Sequence, residues 1–114
     1  MTRVVRLADY RSRRTRISFS RSELSLLLSL YSRHVSRGEW RDYAIDQGAG
    51  AAVFTVFRRS EDLPAYTITK WAPDGRGRER YRVSGRFRRL KEGQSLDEVL
   101  SVFERRLRLV SHAG

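Results

Sequence analysis

The sequence contains no cysteine, a single methionine and only two prolines among its 114 residues. Without cysteine there is no disulfide bond, no cysteine nucleophile and no metal site built on thiolates. No apolar run approaches the ~18 residues of a membrane-spanning helix. The basic N-terminal segment lacks the apolar region and the small-residue cleavage site of a signal peptide. These absences predict a soluble, cytoplasmic protein without a membrane partner.

The composition is that of a folded protein, with 39% hydrophobic and 32% charged residues. A chain of this length is expected to form about one domain. Residues 1–15 show no sustained hydrophobic period. We therefore predict a basic flexible arm over residues 1–15 and a single domain over residues 16–112.

Positive charge is concentrated in two short segments of a chain whose formal net charge is +11. Residues 1–16 contain six arginines and one acidic residue, and residues 76–91 contain seven arginines and one lysine against one glutamate. Such clusters attract polyanions, including nucleic acid, acidic proteins and anionic lipids. Arginine suits phosphate better than lysine does. The codon bias of a GC-rich genome is the alternative explanation for the arginine content.

Two segments carry the signals of amphipathic helices. Ser20 and Glu23 form a capping-box pattern, and leucines at helical spacing follow as far as Gly38, a residue favoured just after a helix. Ser95 and Glu98 repeat the capping-box pattern before the C-terminal segment. The predicted core positions of the two helices are Leu24, Leu27, Leu28, Tyr31, Val35, Leu96, Val99, Leu100, Phe103, Leu107 and Val110.

Four extended segments lie between the predicted helices. Residues 41–46, 51–57 and 65–71 are separated by turn signals, and the last two are rich in β-branched and aromatic residues. Residues 78–90 are interpreted as one strand bent at Gly85, in preference to a tight hairpin. The fold class predicted is α+β with two layers. An antiparallel meander sheet of four to five strands carries two helices on one face, in the order α-β-β-β-β-α.

The fourth extended segment alternates arginine with apolar residues. In a single strand its arginines share one face at ~6.6 Å intervals, while Tyr81, Val83 and Phe87 enter the core. Such a series can follow a phosphate backbone, and it predicts a non-catalytic protein that binds RNA or DNA without sequence specificity. A solvated face whose arginines pair with carboxylates is the alternative. The predicted nucleic-acid-binding residues are Arg78, Arg80, Arg82, Arg86 and Arg88, with Arg13 and Arg14 in the arm.

The corner after the first helix is dense in aromatic and charged residues. Trp40, Arg41 and Tyr43 belong to residue types that dominate protein interaction hot spots. They either fill the core or form an exposed partner-binding site. The second reading, together with an open sheet face, predicts an alternative function as a small protein-interaction adaptor or homodimeric module.

Motifs of the common catalytic classes are missing. His34 and His112 lack metal-ligand spacing, and there is no phosphate loop or nucleophile elbow. Asp42 and Asp46 are predicted ~13 Å apart on one strand face, too far for a carboxylate pair. We therefore predict no enzyme activity, no catalytic residue, no metal, no cofactor and no small-molecule substrate.

Several strings of the sequence resemble a known family. They are FSRSEL, GEWRDYAID, VFTVFRR and LKEGQSLDEVL. They resemble an uncharacterised domain-of-unknown-function family of short basic bacterial proteins of alphaproteobacterial type, and the resemblance extends from Phe19 to Val110. It implies a conventional intracellular bacterial protein, and it carries no activity, substrate or cofactor.

Overall fold

The computed structural model describes residues 16–58 and 63–113, with side chains in the last helix described as far as Glu104. Within these residues the elements follow the order β-α-β-β-β-β-β-α. The helices are α1 (Arg21–Ser36) and α2 (Leu96–Ala113). The strands are β1 (Arg16–Ile17), β2 (Asp42–Ala49), β3 (Ala51–Phe57), β4 (Tyr66–Trp71), β5 (Arg80–Ser84) and β6 (Arg89–Gly93).

The strands form one open antiparallel sheet in which sequence order and spatial order are the same, from β1 to β6. The α+β class, the two helices and the antiparallel meander are confirmed. The expectation of four to five strands is wrong, because the described residues form six. A short strand precedes α1, so the first helix does not begin the fold, and the fourth extended segment contributes two strands instead of one.

That fourth segment reverses direction after Ser84. The amide of Gly85 donates to the carbonyl of Arg88 at 2.8 Å, and Ser84 pairs with Arg89 across the turn. Our preference for one bent strand is therefore wrong, and the hairpin forms. Alternation of polar and apolar residues is the same along one long strand and along two short ones. The pattern thus could not distinguish the two arrangements.

The core lies on one face of the sheet. In β3 the alternate residues Ala52, Phe54 and Val56 are buried, and strand pairing brings Ile68 and Val83 onto the same face as Phe54. These residues form one cluster with the buried residues of both helices. The helical contributors are Leu27, Leu30, Leu96, Val99, Leu100 and Phe103.

Both ends of α1 follow the predicted chemistry. Ser20 and Glu23 form a reciprocal capping box at its start. At its end, Gly38 has a φ of +75°, its amide donates to the Val35 carbonyl, and the Glu39 amide donates to the His34 carbonyl, each at 2.9 Å. This pair of bonds is a Schellman motif, and it requires the left-handed backbone that glycine adopts without strain.

The buried side of α1 agrees with the predicted one only in part, since Leu24, Leu27 and Tyr31 contact the core as predicted. Leu27 is buried as expected, but Leu30 and His34 accompany it, while Leu28 is 37% exposed and Val35 is 41% exposed. Leucines occur on several sides of this helix, so helical spacing alone leaves its rotation undetermined. The sheet and α2 select the side that carries Leu27, Leu30 and His34.

The capping box predicted at the start of α2 forms only in part. The amide of Glu98 donates to the hydroxyl of Ser95 at 3.2 Å, whereas the Glu98 carboxylate accepts from the amide of Gln94 instead of that of Ser95. Leu96, Val99, Leu100 and Phe103 are buried as predicted. The predicted core residues Leu107 and Val110 lie outside the described side chains.

The Glu23 carboxylate connects the start of α1 to the sheet. It accepts hydrogen bonds from the amide of Ser20 and the ammonium of Lys70, each at 2.8 Å, and from the hydroxyl of Tyr81. Lys70 also donates to the carbonyl of Ser18 at 3.0 Å. Burial alone raises the pKa of the Glu23 carboxyl, but the bonds from Lys70, Tyr81 and Ser20 outweigh burial and hold that pKa below its usual value.

We expect Glu23→Gln to lower the free energy of unfolding by about 1.5–3 kcal/mol, the usual contribution of hydrogen bonds to a charged group. Glutamine keeps the oxygen that accepts from the Ser20 amide, so the capping box can remain, while the charge and the oxygen that accepts from Tyr81 are lost. Because folding lowers the pKa of Glu23, its contribution is complete above the ordinary glutamate pKa of ~4.3 and disappears as the pH falls through the lower folded value. Urea denaturation across a pH series would measure this dependence.

Glu79→Gln, at an exposed position, is the matched control. The acid-dependent loss of stability should be smaller in the Glu23 variant than in the wild type and in the control. Identical pH profiles in all three proteins would contradict this role of Glu23.

Candidate functional site

The predicted series of arginines is divided between the sheet and its turns. Arg80 and Arg82 lie in β5 and point to the same face, because the alternate residues Tyr81 and Val83 enter the core. Arg86 and Arg88 lie in the turn between β5 and β6. The expectation that all five arginines share one strand face is therefore wrong. Tyr81 and Val83 are buried as predicted, but Phe87 is 90% exposed instead of entering the core.

Trp71 organises the two arginines of β5. The guanidinium carbon of Arg82 lies 4.6 Å from the centre of the indole ring, and that of Arg80 lies 5.1 Å from it. These are cation–π contacts, and they restrict both guanidinium groups to the neighbourhood of the ring. Arg82 also pairs with Glu92 at 2.7 Å, whereas Arg80 makes no ion pair within the described part of the chain.

Arg78 lies in the turn between β4 and β5, where it is bound to Asp74. The carboxylate of Asp74 accepts from the amides of Arg76 and Arg78 and from Nε of Arg78 at 2.8–3.0 Å. The two backbone amides are the main reason that the pKa of Asp74 lies below its usual value. This fits the alternative reading in which an arginine pairs with a local carboxylate, and Arg78 contributes little free positive charge.

A cavity of about 440 Å³, which we call the hairpin cavity, opens at one end of the sheet. The β5–β6 turn forms one wall, and Arg58 after β3 with residues 63–66 at the start of β4 forms the other. Arg86 lies over the exposed Phe87, with its guanidinium carbon 5.4 Å from the ring centre. The cavity therefore combines positive charge with accessible aromatic surface. Its lining includes Arg58, Leu63, Tyr66, Arg86, Phe87 and Arg88.

The contributions of Arg58 and Trp71 were not predicted from the sequence. Arg58 follows a predicted strand and lies far in sequence from Arg86 and Arg88, so only the pairing of β3 with β4 and of β4 with β5 brings the three together. Trp71 ends β4 opposite Arg80, and that register could be inferred only after the turn between them was placed. The predicted arm residues Arg13 and Arg14 lie outside the described residues.

The aromatic corner belongs to the core at its centre. Trp40 is only 2% exposed, so its predicted role as an exposed partner-binding residue is wrong, and the reading in which it fills the core is correct. Its ring stacks on His34 with centres 4.0 Å apart and meets the ring of Phe103 edge-on at 5.5 Å. Arg41 is exposed, and Tyr43 is 39% exposed while stacking on Phe54.

His34 is buried inside this cluster. Burial lowers the pKa of its imidazole, although the hydrogen bond to Glu39 acts in the opposite direction. Nδ1 and the Glu39 carboxylate oxygen Oε1 are 2.8 Å apart, and Nδ1 is the donor because a carboxylate only accepts. The other ring nitrogen, Nε2, is buried without a hydrogen-bond partner among the described residues. The contacts of His34 are those of a core residue.

The described residues contain no group of three histidine, aspartate or glutamate side chains placed to hold a metal ion. Neither helix has, over that part of the chain, the combination of length and apolar composition needed to cross a membrane.

Comparison with known proteins identifies one family. The model of a family described as "Protein of unknown function (DUF2794)" matches residues 17–100. Curated proteins and solved structures give no match to the chain.

We expect Trp40→Ala to reduce the free energy of unfolding by about 3–5 kcal/mol, since it removes a large aromatic side chain from a packed core. Arg41→Ala, at the neighbouring exposed position, should change it by no more than about 0.5 kcal/mol. Urea denaturation followed by circular dichroism measures both values. Similar small effects of the two substitutions would show that Trp40 does not support the core.

Proposed function

Because the chain belongs to the DUF2794 family, whose function is unknown, we propose a function from its own surface: it binds single-stranded RNA or DNA at the hairpin cavity. The observation that carries this proposal is the presence of three arginines and an exposed phenylalanine around one cavity. Binding is non-catalytic and has little sequence specificity. The proposed function is therefore still the one that the arginine-rich segment predicts. The proposed binding site, however, lies at the β5–β6 turn instead of along one strand.

The chemistry of the cavity suits a single strand. Arginines bind phosphate oxygens through paired hydrogen bonds, and aromatic rings stack on unpaired bases. Phe87 stands at the tip of a turn with 90% of its surface exposed, so a base can approach the face of its ring that Arg86 does not cover. A duplex keeps its bases stacked inside and cannot use this ring in the same way.

Net charge supports the same ligand class. The formal charge of +11 increases the rate of encounter with any polyanion. Charge alone, however, gives binding that does not depend on where the arginines are. The hairpin cavity adds a defined position, since Arg58, Arg86 and Arg88 converge there from two separate parts of the chain.

The test uses labelled single-stranded and duplex RNA and DNA across a salt series. We expect the double variant Arg86→Ser/Arg88→Ser to weaken single-strand binding and to reduce the slope of log affinity against log salt by about 1.4, the value for two phosphate contacts on a single strand. The control is Arg33→Ser/Arg37→Ser, which removes the same charge from exposed positions at the end of α1. An equal loss in both variants would reduce the interaction to unspecific attraction and overturn the proposal.

Phe87→Ala separates stacking from charge. We expect it to cost about 1–3 kcal/mol of single-strand binding, the usual contribution of one stacked base, without changing the salt slope. Its effect on duplex binding should be small. Unchanged single-strand affinity, or an absence of binding by the wild type near physiological salt, would contradict the proposed site.

A further inference from the structure

The face of the sheet opposite the helices, which we call the outer face, has no covering element among the described residues. Strand alternation places the residues between the buried ones on this face, and they are partly exposed. Its centre is formed by small, branched and aromatic side chains. They are Val53, Thr55, Thr67, Thr69 and Trp71.

Opposite charges border the outer face on its two sides. Asp42 and Asp46 of β2 stand opposite Phe57 and Val53, so they share the outer face with them. Both aspartates are exposed, and neither makes an ion pair within the described part of the chain. They form an acidic margin along β2.

The other side of the outer face is basic. Arg80 and Arg82 of β5 flank Trp71, and Arg89 of β6 stands opposite Ser84. Glu92 is the one carboxylate among the described residues of these two strands, and it pairs with Arg82. The basic margin therefore retains a net positive charge, three strand spacings or ~14 Å from β2 to β5.

We propose that the outer face is the interface of a homodimer, in which two copies of this chain pack sheet against sheet. A two-fold axis between the sheets and parallel to the strands places β2 of each copy opposite β5 of the other. The acidic margin then meets the basic margin twice, as the symmetry of such a dimer requires. A two-fold axis between the sheets and perpendicular to the strands would instead place β2 opposite β2 and β5 opposite β5, which brings like charges together. The charge pattern therefore favours the first arrangement.

Strand register identifies the residues that face each other. Asp46, Val53, Thr69 and Arg82 lie in one cross-strand row. With the axis parallel to the strands, Asp46 faces the partner's Arg82. Aligned sheets pack ~10 Å apart, so side chains of the two facing sheets meet in the gap between them. The Arg82 guanidinium lies over Trp71 on this face, where it is accessible to a carboxylate of the other sheet. Arg80 lies two residues along the same strand, ~6.6 Å away, within reach of the same acidic margin.

The size of the outer face predicts a weak dimer. Five strands spaced ~4.8 Å apart and about six residues long cover a projected area of ~400 Å². A standard interface buries about 800 Å² of accessible surface on each partner, so this face lies at the small end of the range. Association should therefore depend on protein concentration and should weaken at high salt.

Sedimentation velocity over a concentration series tests the dimer. We expect the apparent mass of the wild type to rise from 13.3 kDa towards twice that value. Asp46→Arg removes the net negative charge of the acidic margin and places a cation opposite the partner's Arg82, so it should keep the protein monomeric. Arg80→Glu should do the same, and it breaks no ion pair with a described residue. The double variant Asp46→Arg/Arg80→Glu exchanges one charge between the two margins, so the new cation of one copy can pair with the new carboxylate of the other. It should therefore associate more strongly than either single variant.

Steric controls complete the experiment. Thr55→Arg puts a large side chain at the centre of the outer face and should abolish association, whereas Ser32→Arg at an exposed position of α1 should leave it intact. A wild type that is monomeric at every concentration overturns the proposal, as does association that survives Asp46→Arg and Thr55→Arg. Loss of nucleic-acid binding in these variants without any change in mass would assign the outer face to nucleic acid instead.

Discussion

The arrangement of the helices against the sheet depends on the contacts of Trp40. Its indole packs on His34 of α1, on Phe103 of α2 and on Tyr66 of β4, so one side chain joins both helices to the same face of the sheet. The Schellman motif at Gly38 places the chain for this contact, because it turns the backbone back towards the helix end just before Trp40. With both helices held on one face, no described element covers the other face.

The remaining surface chemistry follows from this division into two layers. Turns at the ends of the strands carry Arg58, Arg86 and Arg88 to the hairpin cavity, whereas strand alternation carries Arg80 and Arg82 to the outer face. One basic segment thus contributes to two surfaces. The cavity lies beyond the end of β5 and the outer face lies along it, so the proposed nucleic-acid site and the proposed dimer interface do not overlap.

Much of the fold could be predicted from local signals. The caps of α1, the stop at Gly38 and the strand over residues 51–57 are each determined by residues close together in the sequence, and each was predicted with nearly its observed bounds. The rotation of α1 was not predictable, because leucines on several of its sides satisfy the same helical period. Only contact with the sheet and α2 distinguishes Leu30, which is buried, from Leu28, which is exposed.

Less of the candidate sites than of the fold could be predicted from the sequence. Composition and spacing are local properties, so the sequence alone predicts that positive charge is concentrated near residues 76–91 and that an aromatic corner follows α1. Only the folded chain shows that Trp40 is buried, that Phe87 is exposed and that Arg58 joins Arg86 at one cavity. Each of these depends on which strands pair and where the chain turns. The alternation of polar and apolar residues determines neither the strand pairing nor the position of the turns, since a hairpin and a long strand share the same pattern.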